Sequence, residues 1–419
     1  MSQSSSVRVP SNAVRARGGL LLASLLLAPV LVAQSAPRVV GLTAFSPLVM
    51  TQDTGSCAMA PCTPAGMPPP AGGFGFEGGT AYDPNTRGVW VSNGLLIGKY
   101  DTRNACAPQC PVLPMPNTSP NNPVTGLAYY VPSSTLYVTD RSNIIRWYSV
   151  GGGCQLSLVS RCIAPIPAGD VLTGCATDNW TGQIFYSAVT PGNPGGRIYV
   201  AQIGAPCLPF CNFAVTTCGG NPMGPLTGVG YDSCAQIIWV TDGKFVKGIS
   251  FDPINCIVLG EAQCCLNTVD PYIGLAVLSS TEASAGVNCT APPCPVCTTM
   301  AHVLGGDPYV GNPAFGLNLQ AAPGGSTAFL ILNVGTCGPP VFAPPFCAGI
   351  RVPLAPPPIT ASLPTGGTPG LCNGSSSLTI AIPPNPTLCG LPLCSQYLGI
   401  CPGSGLFASN ALQWVIGGI

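Results

Sequence analysis

The sequence predicts an all-β protein, and three observations lead to that prediction. Gly (53) and Pro (48) make up nearly a quarter of the 419 residues. Between the Gly/Pro clusters lie short runs of aromatic and β-branched residues, with no convincing helical pattern after the N-terminal segment. A similar unit then recurs several times along the chain. Many short strands joined by turns give this pattern, whereas a disordered chain lacks such orderly runs.

The recurring unit begins with a glycine that is followed by a short apolar strand, a polar turn and a second strand. Four copies align without gaps over their first fourteen positions, and a weaker fifth copy follows. Their starts are separated by 47, 48, 54 and 46 residues. A period of this length with three or four strands per unit predicts a β-propeller. The unit starts are Gly79, Gly126, Gly174, Gly228 and Gly274.

The two ends of the repeat region predict how the propeller closes. The segment that starts at Arg38 has strand-like residues and ends at a cysteine pair, like a unit whose head is missing. The unit at Gly274 is a head with a shortened tail. One blade built from both ends would close the ring and protect its edges. We therefore expect five or six blades, with five favoured, and an open stack of the same units is the alternative.

Two segments carry a family resemblance. Leu136-YVTDRSNIIRWY and the stretch from Gly228 to Phe251 resemble NHL-type repeats, in which an apolar strand, an Asp, a small polar turn and a second strand follow one another. The resemblance spans roughly residues 70 to 285. It implies a propeller fold and is nearly silent on function, since propellers host many activities.

Cysteine pairs keep step with the repeat. Each pair is separated by four to eight residues, so we expect it to close a small loop between outer strands of a blade. Closing a small loop removes little entropy from the unfolded chain, so each bond is expected to contribute less than the typical value of about 2–4 kcal/mol. Four further cysteines, Cys175, Cys218, Cys234 and Cys265, fall outside the pattern and are expected to bridge blades. The pairs are Cys57/Cys62, Cys106/Cys110, Cys154/Cys162, Cys207/Cys211 and Cys256/Cys264.

The period is lost near His302, where a second domain is expected to begin. Between residues 306 and 419 the only charged residues are Asp307 and Arg351. Alternating strands separated by Gly/Pro turns predict a small β-sandwich. The expected map is a signal peptide at 1–33, a propeller at 34–302 and a sandwich at 303–419. Strand candidates start at Phe315, Ala328, Ile350, Ser377 and Leu412.

The last part of this region, Ile382-PPNPTLCGLPLCSQYLGICPGSGLFASNALQWVIG, resembles a C-terminal module of many large secreted bacterial proteins. The resemblance covers about a quarter of the chain and implies an accessory or surface-display domain. Six cysteines are expected to form three bonds within it, namely Cys337, Cys347, Cys372, Cys389, Cys394 and Cys401.

The N-terminus predicts export. Arg8, Arg15 and Arg17 precede an apolar run from Leu20 to Val32, and Ala33 is the expected cleavage point. The 23 cysteines favour disulfides outside the cytoplasm, because zinc sites need more His or paired CxxC motifs than this chain has. We expect a secreted, cell-surface or periplasmic protein with no membrane span after signal removal. A basic stripe for nucleic acid is absent, since 14 basic residues face 14 acidic ones.

Catalytic chemistry finds little support in the sequence. The sequence has no nucleophile elbow that could form a catalytic triad with His302, and we interpret His302 as a structural or surface residue. The CxxC motif of Cys294 and Cys297 lies in a Pro-rich run and not at a helix start, so a structural disulfide is expected rather than a redox dithiol. Four glycosylation sequons depend on the source organism: Asn117, Asn179, Asn288 and Asn373.

Acidic and aromatic residues recur at fixed repeat positions. The oxygen-bearing side chains are expected to cap turns, and the alternative is a calcium site at the channel mouth. The aromatic residues are expected to form a packing layer, and the alternative is a ring of surfaces that stack on sugars. The first set is Asp83, Asp178 and Asp232 at one position, with Asn93, Asp140 and Asp242 at another; the aromatic set is Trp90, Tyr137, Phe185 and Trp239.

These observations predict a non-catalytic secreted binding or scaffold protein whose ligand is an extracellular glycan or protein. One alternative is a metal-dependent propeller hydrolase or lactonase, and the other is a structural component of the cell envelope. No cofactor is expected, and calcium is the one ion that the recurring acids would suit.

Overall fold

A computed structural model describes residues 38–45, 48–69, 77–267, 271–278, 281–342 and 347–418. The predicted signal peptide at 1–33 lies outside these residues. Within the described residues nearly all regular structure is β-strand, and the three short 3₁₀ turns there are Val131–Ser133, Gly152–Cys154 and Pro386–Leu388. Within the described ranges, no helix is both long and apolar enough to cross a membrane.

Residues 38–278 form five antiparallel sheets of four strands each, which we call the propeller unit. Sheet 1 contains Tyr272–Leu278, Arg38–Thr43, Val49–Asp53 and Met59–Cys62. Sheet 2 contains Gly79–Asp83, Gly88–Ser92, Leu96–Asp101 and Ala107–Pro114. Sheet 3 contains Val124–Tyr130, Thr135–Asp140, Ile144–Val150 and Leu156–Ile163. Sheet 4 contains Val171–Asp178, Gln183–Val189, Gly196–Gln202 and Cys211–Val215. Sheet 5 contains Gly228–Asp232, Ile237–Thr241, Phe245–Asp252 and Ile257–Leu266, and a small hairpin of Thr217–Cys218 and Asn221–Pro222 precedes it.

Sheet 1 joins the two ends of the propeller unit. Its inner strand Tyr272–Leu278 pairs antiparallel with Arg38–Thr43, so that Arg38 lies opposite Leu278. The predicted combination of strands from both ends is therefore confirmed. The inner strands of neighbouring sheets contact one another all the way round, from sheet 1 to sheet 5 and back to sheet 1. This is the arrangement of a β-propeller.

The repeat glycines explain how closely the inner strands approach. A Cβ atom on any of the five would lie 2.5–3.0 Å from the Cα of the corresponding glycine in the next sheet. Real Cβ atoms essentially never come this close, so a side chain at these positions would push the sheets apart. The glycines Gly79, Gly126, Gly174, Gly228 and Gly274 form a closed ring, which we call the glycine ring.

Disulfides link neighbouring sheets, and the expected bonding within each pair is wrong. The two cysteines of one sheet face opposite neighbours, so each bonds to a cysteine of a different sheet. Strand alternation shows the cause at Cys264 and Cys265, since adjacent residues of a strand point to opposite faces. Cys264 bonds to Cys218 before sheet 5, and Cys265 bonds to Cys57 of sheet 1. The five ring staples are Cys62–Cys106, Cys110–Cys154, Cys162–Cys207, Cys211–Cys256 and Cys57–Cys265.

Of the four cysteines outside the repeat pattern, three form bridges. Besides Cys218 and Cys265, Cys234 bridges the propeller unit to Cys389 near the C-terminus. Cys175 is the one unpaired cysteine of the described chain, and it is buried. The expectation that it bridges blades is therefore wrong: its thiol packs against sheet 3, with Sγ 3.8 Å from Tyr137 O, and no second free thiol exists among the described residues.

Residues 281–418 form two further antiparallel sheets, which we call the C-terminal unit. Their apolar side chains share one core, in which Phe315 and Leu317 pack with Tyr397 and Trp414. Sheet 6 contains, in order, Thr281–Ala285, Leu406–Val415, Pro392–Ile400, Thr327–Val334 and Ile359–Pro364, and Cys289–Thr290 also pairs with Leu406–Val415. Sheet 7 contains Met300–Leu304, Gly316–Ala322 and Gly374–Thr379.

The C-terminal unit begins earlier than expected. Thr281–Ala285 pairs with Leu406–Val415, so this strand, which the expected map placed in the propeller at 34–302, belongs to sheet 6. The strand expected at Ile350 is a single bridge to Val341, since Pro-rich segments on both sides interrupt pairing.

The cysteines of the C-terminal unit also pair differently from the expectation. Among the six expected to bond with one another, only Cys337 and Cys394 do so. The segment that carries the CxxC motif supplies the partners of three of the others, and the fourth, Cys389, bonds to the propeller unit. Cys294 and Cys297 do not bond to each other, because each faces a different loop. The remaining bonds are Cys289–Cys347, Cys294–Cys401 and Cys297–Cys372.

Candidate functional site

A small chamber lies on the propeller axis between the glycine ring and the C-terminal unit. Its walls are the inner-strand residues that follow the ring glycines in all five sheets, and Gly418 of the C-terminal unit contributes to its lining. The cavity volume is about 50 Å³. A water molecule needs roughly 10–15 Å³ measured in this way, so the chamber has room for a few waters and not for a sugar.

Three tyrosines face this chamber from equivalent positions, each three residues after its ring glycine. They are Tyr82, Tyr129 and Tyr231. Burial raises the pKa of Tyr129 to about 12. Burial also raises the pKa of Tyr82 and Tyr231, with help from the negative charges of Asp307 and Asp178 respectively. All three phenols are therefore neutral donors at physiological pH.

The densest group of charged side chains joins the two units. Asp307 of the C-terminal unit is fully buried and accepts hydrogen bonds from Arg103 Nη2, with its two oxygens at 2.6 and 2.8 Å. Arg87 Nε donates to the same carboxylate at 3.0 Å, and the Tyr82 hydroxyl also donates to it. Arg87 in turn pairs with Glu282. We call these five residues the junction cluster.

The junction cluster is balanced in charge, with two arginines against two carboxylates. The nearby Tyr82 and Asp307 raise the pKa of Arg103, which more than offsets the lowering by burial. Further contacts fasten the same junction: Asp307 N donates to Pro84 O at 2.8 Å and Tyr309 Oη donates to Asn85 Oδ1 at 2.5 Å. This arrangement holds the two units together, and its polar groups are occupied by one another.

The six residues considered for calcium each hold their own turn. Asp232 Oδ1, for example, accepts from the backbone N–H groups of Cys234 at 2.9 Å and Ala235 at 3.1 Å. Asp242 accepts in the same way from Lys244 and Phe245 at 2.9 and 2.7 Å. Corresponding bonds are made by Asp83, Asn93, Asp140 and Asp178.

These acids also have different partners in different sheets. Lys99 pairs with Asp83 and Arg146 pairs with Asp140, whereas burial raises the pKa of Asp178 and Asp232. In the described part of the chain, no group of three or more His, Cys, Asp or Glu side chains is placed to hold a metal ion. The structure does not bring the two sets together as one oxygen-rich site.

The aromatic layer is buried. Trp90, Tyr137, Phe185 and Trp239 have almost no exposed surface, so stacking on sugars is not open to them. Phe185 stacks against Tyr231 with ring centroids 4.6 Å apart, which is packing between neighbouring sheets. The alternative of a sugar-binding ring is wrong, because these side chains fill the space between the sheets.

His302 lies in sheet 7 with its Nε2 atom 2.8 Å from Asn318 Nδ2. Burial lowers the pKa of His302, and the nearby positive charge of Arg87 lowers it further. Of the sequon residues, Asn179 accepts from Val131 N at 2.6 Å and Asn373 accepts from Thr368 N at 2.9 Å, so both hold loop backbone.

The junction cluster was not foreseen from the sequence. The available signal was the isolation of Asp307, one of two charged residues in the last 114 positions. A lone acid in so apolar a segment is costly to bury unless a cation meets it. The partners Arg87 and Arg103, more than 200 residues away, carry no pattern that would have identified them.

Comparison with known proteins gives little information about this chain. No protein-family model matches the chain, and no curated protein matches it. Among solved structures, the β-propeller domain of Cps50 (Swd1) from Myceliophteria thermophila aligns with 55% of this chain and 73% of its own, at 10% identity and a TM-score of 0.34. The mitotic checkpoint complex aligns over 76% of this chain and 84% of its own, at 10% identity and a TM-score of 0.31. The propeller assignment therefore depends on the chain's own sheets, glycine ring and staples.

Proposed function

We propose that this protein is an exported, non-catalytic binding scaffold: a five-bladed propeller that is covalently closed and carries a β-sandwich fixed to one face. The observation that carries the proposal is the circuit of five ring staples, which links every neighbouring pair of sheets. A scaffold of this kind keeps its surface in one geometry and so lowers the ordering cost of binding a partner.

The cysteine chemistry supports export. Twenty-two of the 23 cysteines are paired as eleven disulfides, and such bonds persist in oxidising compartments. The remaining thiol, Cys175, is buried, and burial raises its pKa to about 12, so it is suited to packing and not to reaction. The basic and apolar N-terminal segment up to Ala33 supports the same compartment.

The fixed C-terminal unit supports a display role for the opposite face. Turns of an antiparallel sheet alternate between its two ends, so the first and third turns of each sheet lie on one face of the propeller. The contacts between the two units reach this face, at residues 84–87, 103 and 233–234. We call it the docked face. The second turns and the connections between sheets lie at the other end, which we call the free face.

The free face carries an exposed aromatic side chain. Phe45 lies in the second turn of sheet 1 and is 74% exposed. Ala44 N donates to Pro271 O, and Pro271 packs against Gly243, so the turn that carries Phe45 adjoins the turn of the exposed Lys244, whose ammonium lies over the Phe245 ring. An aromatic ring next to a cation suits a glycan or a protein partner, since it offers stacking area and a charged donor together. We propose this pair as the anchor of the binding face.

The test is a binding screen of the mature, oxidised protein against glycan and protein arrays, with and without calcium. The proposal expects at least one ligand that binds independently of calcium and loses affinity at least tenfold on Phe45→Ala, about the effect of one anchor residue. Phe342→Ala is the matched control, because Phe342 is 71% exposed but lies on the C-terminal unit.

Each other outcome is informative. Flat binding across the arrays overturns the proposed role. Binding that both phenylalanine variants weaken equally, or that neither weakens, overturns the assignment of the free face. Turnover of a lactone or ester that requires calcium would instead support the metal-dependent alternative.

A further inference from the structure

The cysteines of the propeller unit lie along the chain in close pairs, but the ring staples run between pairs. In sheet 2, Cys106 bonds back to Cys62 and Cys110 bonds forward to Cys154. Four staples join cysteines 44 or 45 positions apart, and the fifth joins cysteines 208 positions apart. The members of one close pair are only four to eight positions apart. We call a bond within a close pair a local bond, and the pairs are Cys57/Cys62, Cys106/Cys110, Cys154/Cys162, Cys207/Cys211 and Cys256/Cys264.

The unfolded chain favours the local bonds. The entropic cost of closing a loop grows with the logarithm of its length, so the probability of closure falls as about the three-halves power of that length. Lengthening a loop from about six residues to about 45 therefore lowers this probability about twentyfold. Oxidation that precedes folding consequently fills the close pairs first.

The local bonds are incompatible with the folded ring. A bond between Cys106 and Cys110 would occupy both cysteines, and would so remove the staple to Cys62 and the staple to Cys154. Each of the other local bonds likewise removes two native disulfides. A chain that has formed all five local bonds contains none of the ring staples, and it must break every local bond to reach the fold.

We propose that this chain is a substrate of a thiol–disulfide isomerase, a protein whose dithiol opens the local bonds so that the ring staples can form. The proposal rests on the proposed export, since disulfides form in oxidising compartments. Exchange begins when a thiolate attacks a disulfide sulfur. The chain itself supplies few thiols, because 23 cysteines leave one when all others are bonded. In the folded chain that one is the buried Cys175.

The exchange needs no net oxidation, because each step breaks one S–S bond and forms another. The isomerase thiolate attacks Cys106 Sγ in the local bond, which forms a mixed disulfide and releases Cys110 as a thiolate. Cys110 attacks Cys154 Sγ, which forms their staple and releases Cys162. Sheets 4 and 5 continue the same series. Cys62, once it is free, attacks Cys106 Sγ and releases the isomerase.

The adjacent Cys264 and Cys265 are where the series of exchanges closes. The Cys265 thiolate attacks Cys57 Sγ, which forms the last ring staple and frees Cys62. The exchanges in sheets 4 and 5 end with the release of Cys264, so five local bonds become five staples and the spare thiol moves from Cys265 to Cys264. Cys264 and Cys218 are then oxidised together, and a small disulfide such as oxidised glutathione is reduced to two thiols.

The test is oxidative refolding of the mature, reduced and unfolded protein, with and without purified protein disulfide isomerase. Both arms contain the same dilute mixture of reduced and oxidised glutathione. Samples are alkylated at intervals, and the bonds are identified by mass spectrometry of unreduced peptides. We expect local bonds to accumulate first, and the isomerase to raise the rate at which the ring staples appear at least tenfold. Isomerase with an alkylated dithiol is the control for a mere chaperone effect.

A variant that lacks most local alternatives sharpens the test. Cys62→Ala/Cys106→Ala/Cys162→Ala/Cys207→Ala removes two staples and leaves a single cysteine in four of the five close pairs. Only the close pair of sheet 5 stays complete. We expect the isomerase to accelerate the formation of the remaining staples in this variant less than threefold.

The matched control also loses two disulfides but keeps all five close pairs. It is Cys234→Ala/Cys389→Ala/Cys297→Ala/Cys372→Ala, whose bonds lie outside the ring. This variant should depend on the isomerase as strongly as the wild type does. Thermal unfolding of both refolded variants checks that the fold is kept, and the order of bonds in the wild type decides the question if either variant fails to fold.

Three outcomes overturn the proposal. The first is a wild type that forms its ring staples without passing through local bonds. The second is an isomerase that has no effect, or that acts equally well with its dithiol alkylated. The third is equal acceleration of the two variants. None of these depends on a ligand, so a failure here is distinct from flat binding in the array screen.

Discussion

Gly228 and Gly274 face each other across the junction of sheets 5 and 1 so closely that a Cβ atom on Gly228 would lie 2.6 Å from the Gly274 Cα. The other ring glycines repeat this relationship, and the ring closes on itself. The glycine that begins each sequence repeat is therefore a packing residue, placed where five backbones converge on one axis.

Replacing one ring glycine should destabilise the propeller. In Gly228→Ala the added methyl group meets backbone atoms of the next sheet, which cannot move aside as a side chain can. We expect the free energy of unfolding to fall by about 1–3 kcal/mol, as in other overpacked cores. Gly204→Ala is the control, because nothing lies within 4 Å of a Cβ atom there. Equal stabilities of the two variants in guanidinium titrations would contradict the ring.

The repeat and its closure could be predicted because both depend on periodic signals. A glycine, an apolar strand and a cysteine pair recur in register, and each copy supports the interpretation of the others. The pairing of the cysteines could not be predicted, since spacing along the chain does not say which neighbour a side chain faces. Cys264 and Cys265 show this most clearly, because they are adjacent in sequence and bond in opposite directions.

The contacts between the two units could not be predicted from the sequence, for a different reason. Asp307 meets Arg87 and Arg103 only after the whole propeller unit has folded, and contacts of such long range leave no local pattern. The role of the turn-capping acids, by contrast, could be predicted from the sequence. Asp232 bonds to residues two and three positions further on, so its role follows from local chemistry alone.

Removing the Cys57–Cys265 staple should lower the free energy of unfolding by no more than removing any other ring staple. Cys57 and Cys265 are 208 residues apart, which would correspond to more than about 5 kcal/mol for an isolated loop. With the other staples intact, however, the covalent circuit that this bond closes contains about 30 residues of backbone, which corresponds to about 3–4 kcal/mol. We therefore expect that smaller loss of unfolding free energy for Cys57→Ala/Cys265→Ala.

The matched comparison is Cys110→Ala/Cys154→Ala, whose cysteines are 44 residues apart but belong to the same circuit. Both double variants should lose the same free energy of unfolding within about 1 kcal/mol, the precision at which such model-dependent values are compared. A clearly larger loss for the bond of longer separation would argue against a closed covalent circuit.

Asp307→Asn should loosen the junction between the units. The change removes the charge that two arginines and Tyr82 share, and breaking a buried ion pair costs about 3–5 kcal/mol. Because Arg87 and Arg103 keep some exposure, we expect the lower end of that range. Calorimetry should then show the C-terminal unit melting apart from the propeller unit. Glu261→Gln, which removes a surface pair, is the control and should cost less than about 1 kcal/mol.

The Cys175 thiol should be silent in the native protein. It is buried, and burial raises its pKa to about 12, so thiolate is scarce at neutral pH. We expect no alkylation by iodoacetamide in native buffer and one alkylated cysteine in denaturant without reductant, counted by mass spectrometry of the intact protein. Alkylation under native conditions would show that sheet 4 opens or that another disulfide is incomplete.

Asp232→Asn should change how stability depends on pH. Burial raises the pKa of Asp232, so the folded state favours its protonated form, and the cost of burying the charge grows as pH rises through the interval between the unfolded and folded pKa values. An asparagine keeps the oxygen that accepts from Cys234 and Ala235 without that charge. We expect the variant to equal or exceed the wild type in unfolding free energy at neutral pH and to lose this advantage in acid.

Asp252→Asn is the control with the opposite sign. Hydrogen bonds from Asn255 lower the pKa of the exposed Asp252 carboxylate, so its contribution to stability is present above the unfolded pKa and is lost as pH falls. Guanidinium titrations of both variants over a pH series measure the two slopes, and slopes of the same sign would contradict the assignment.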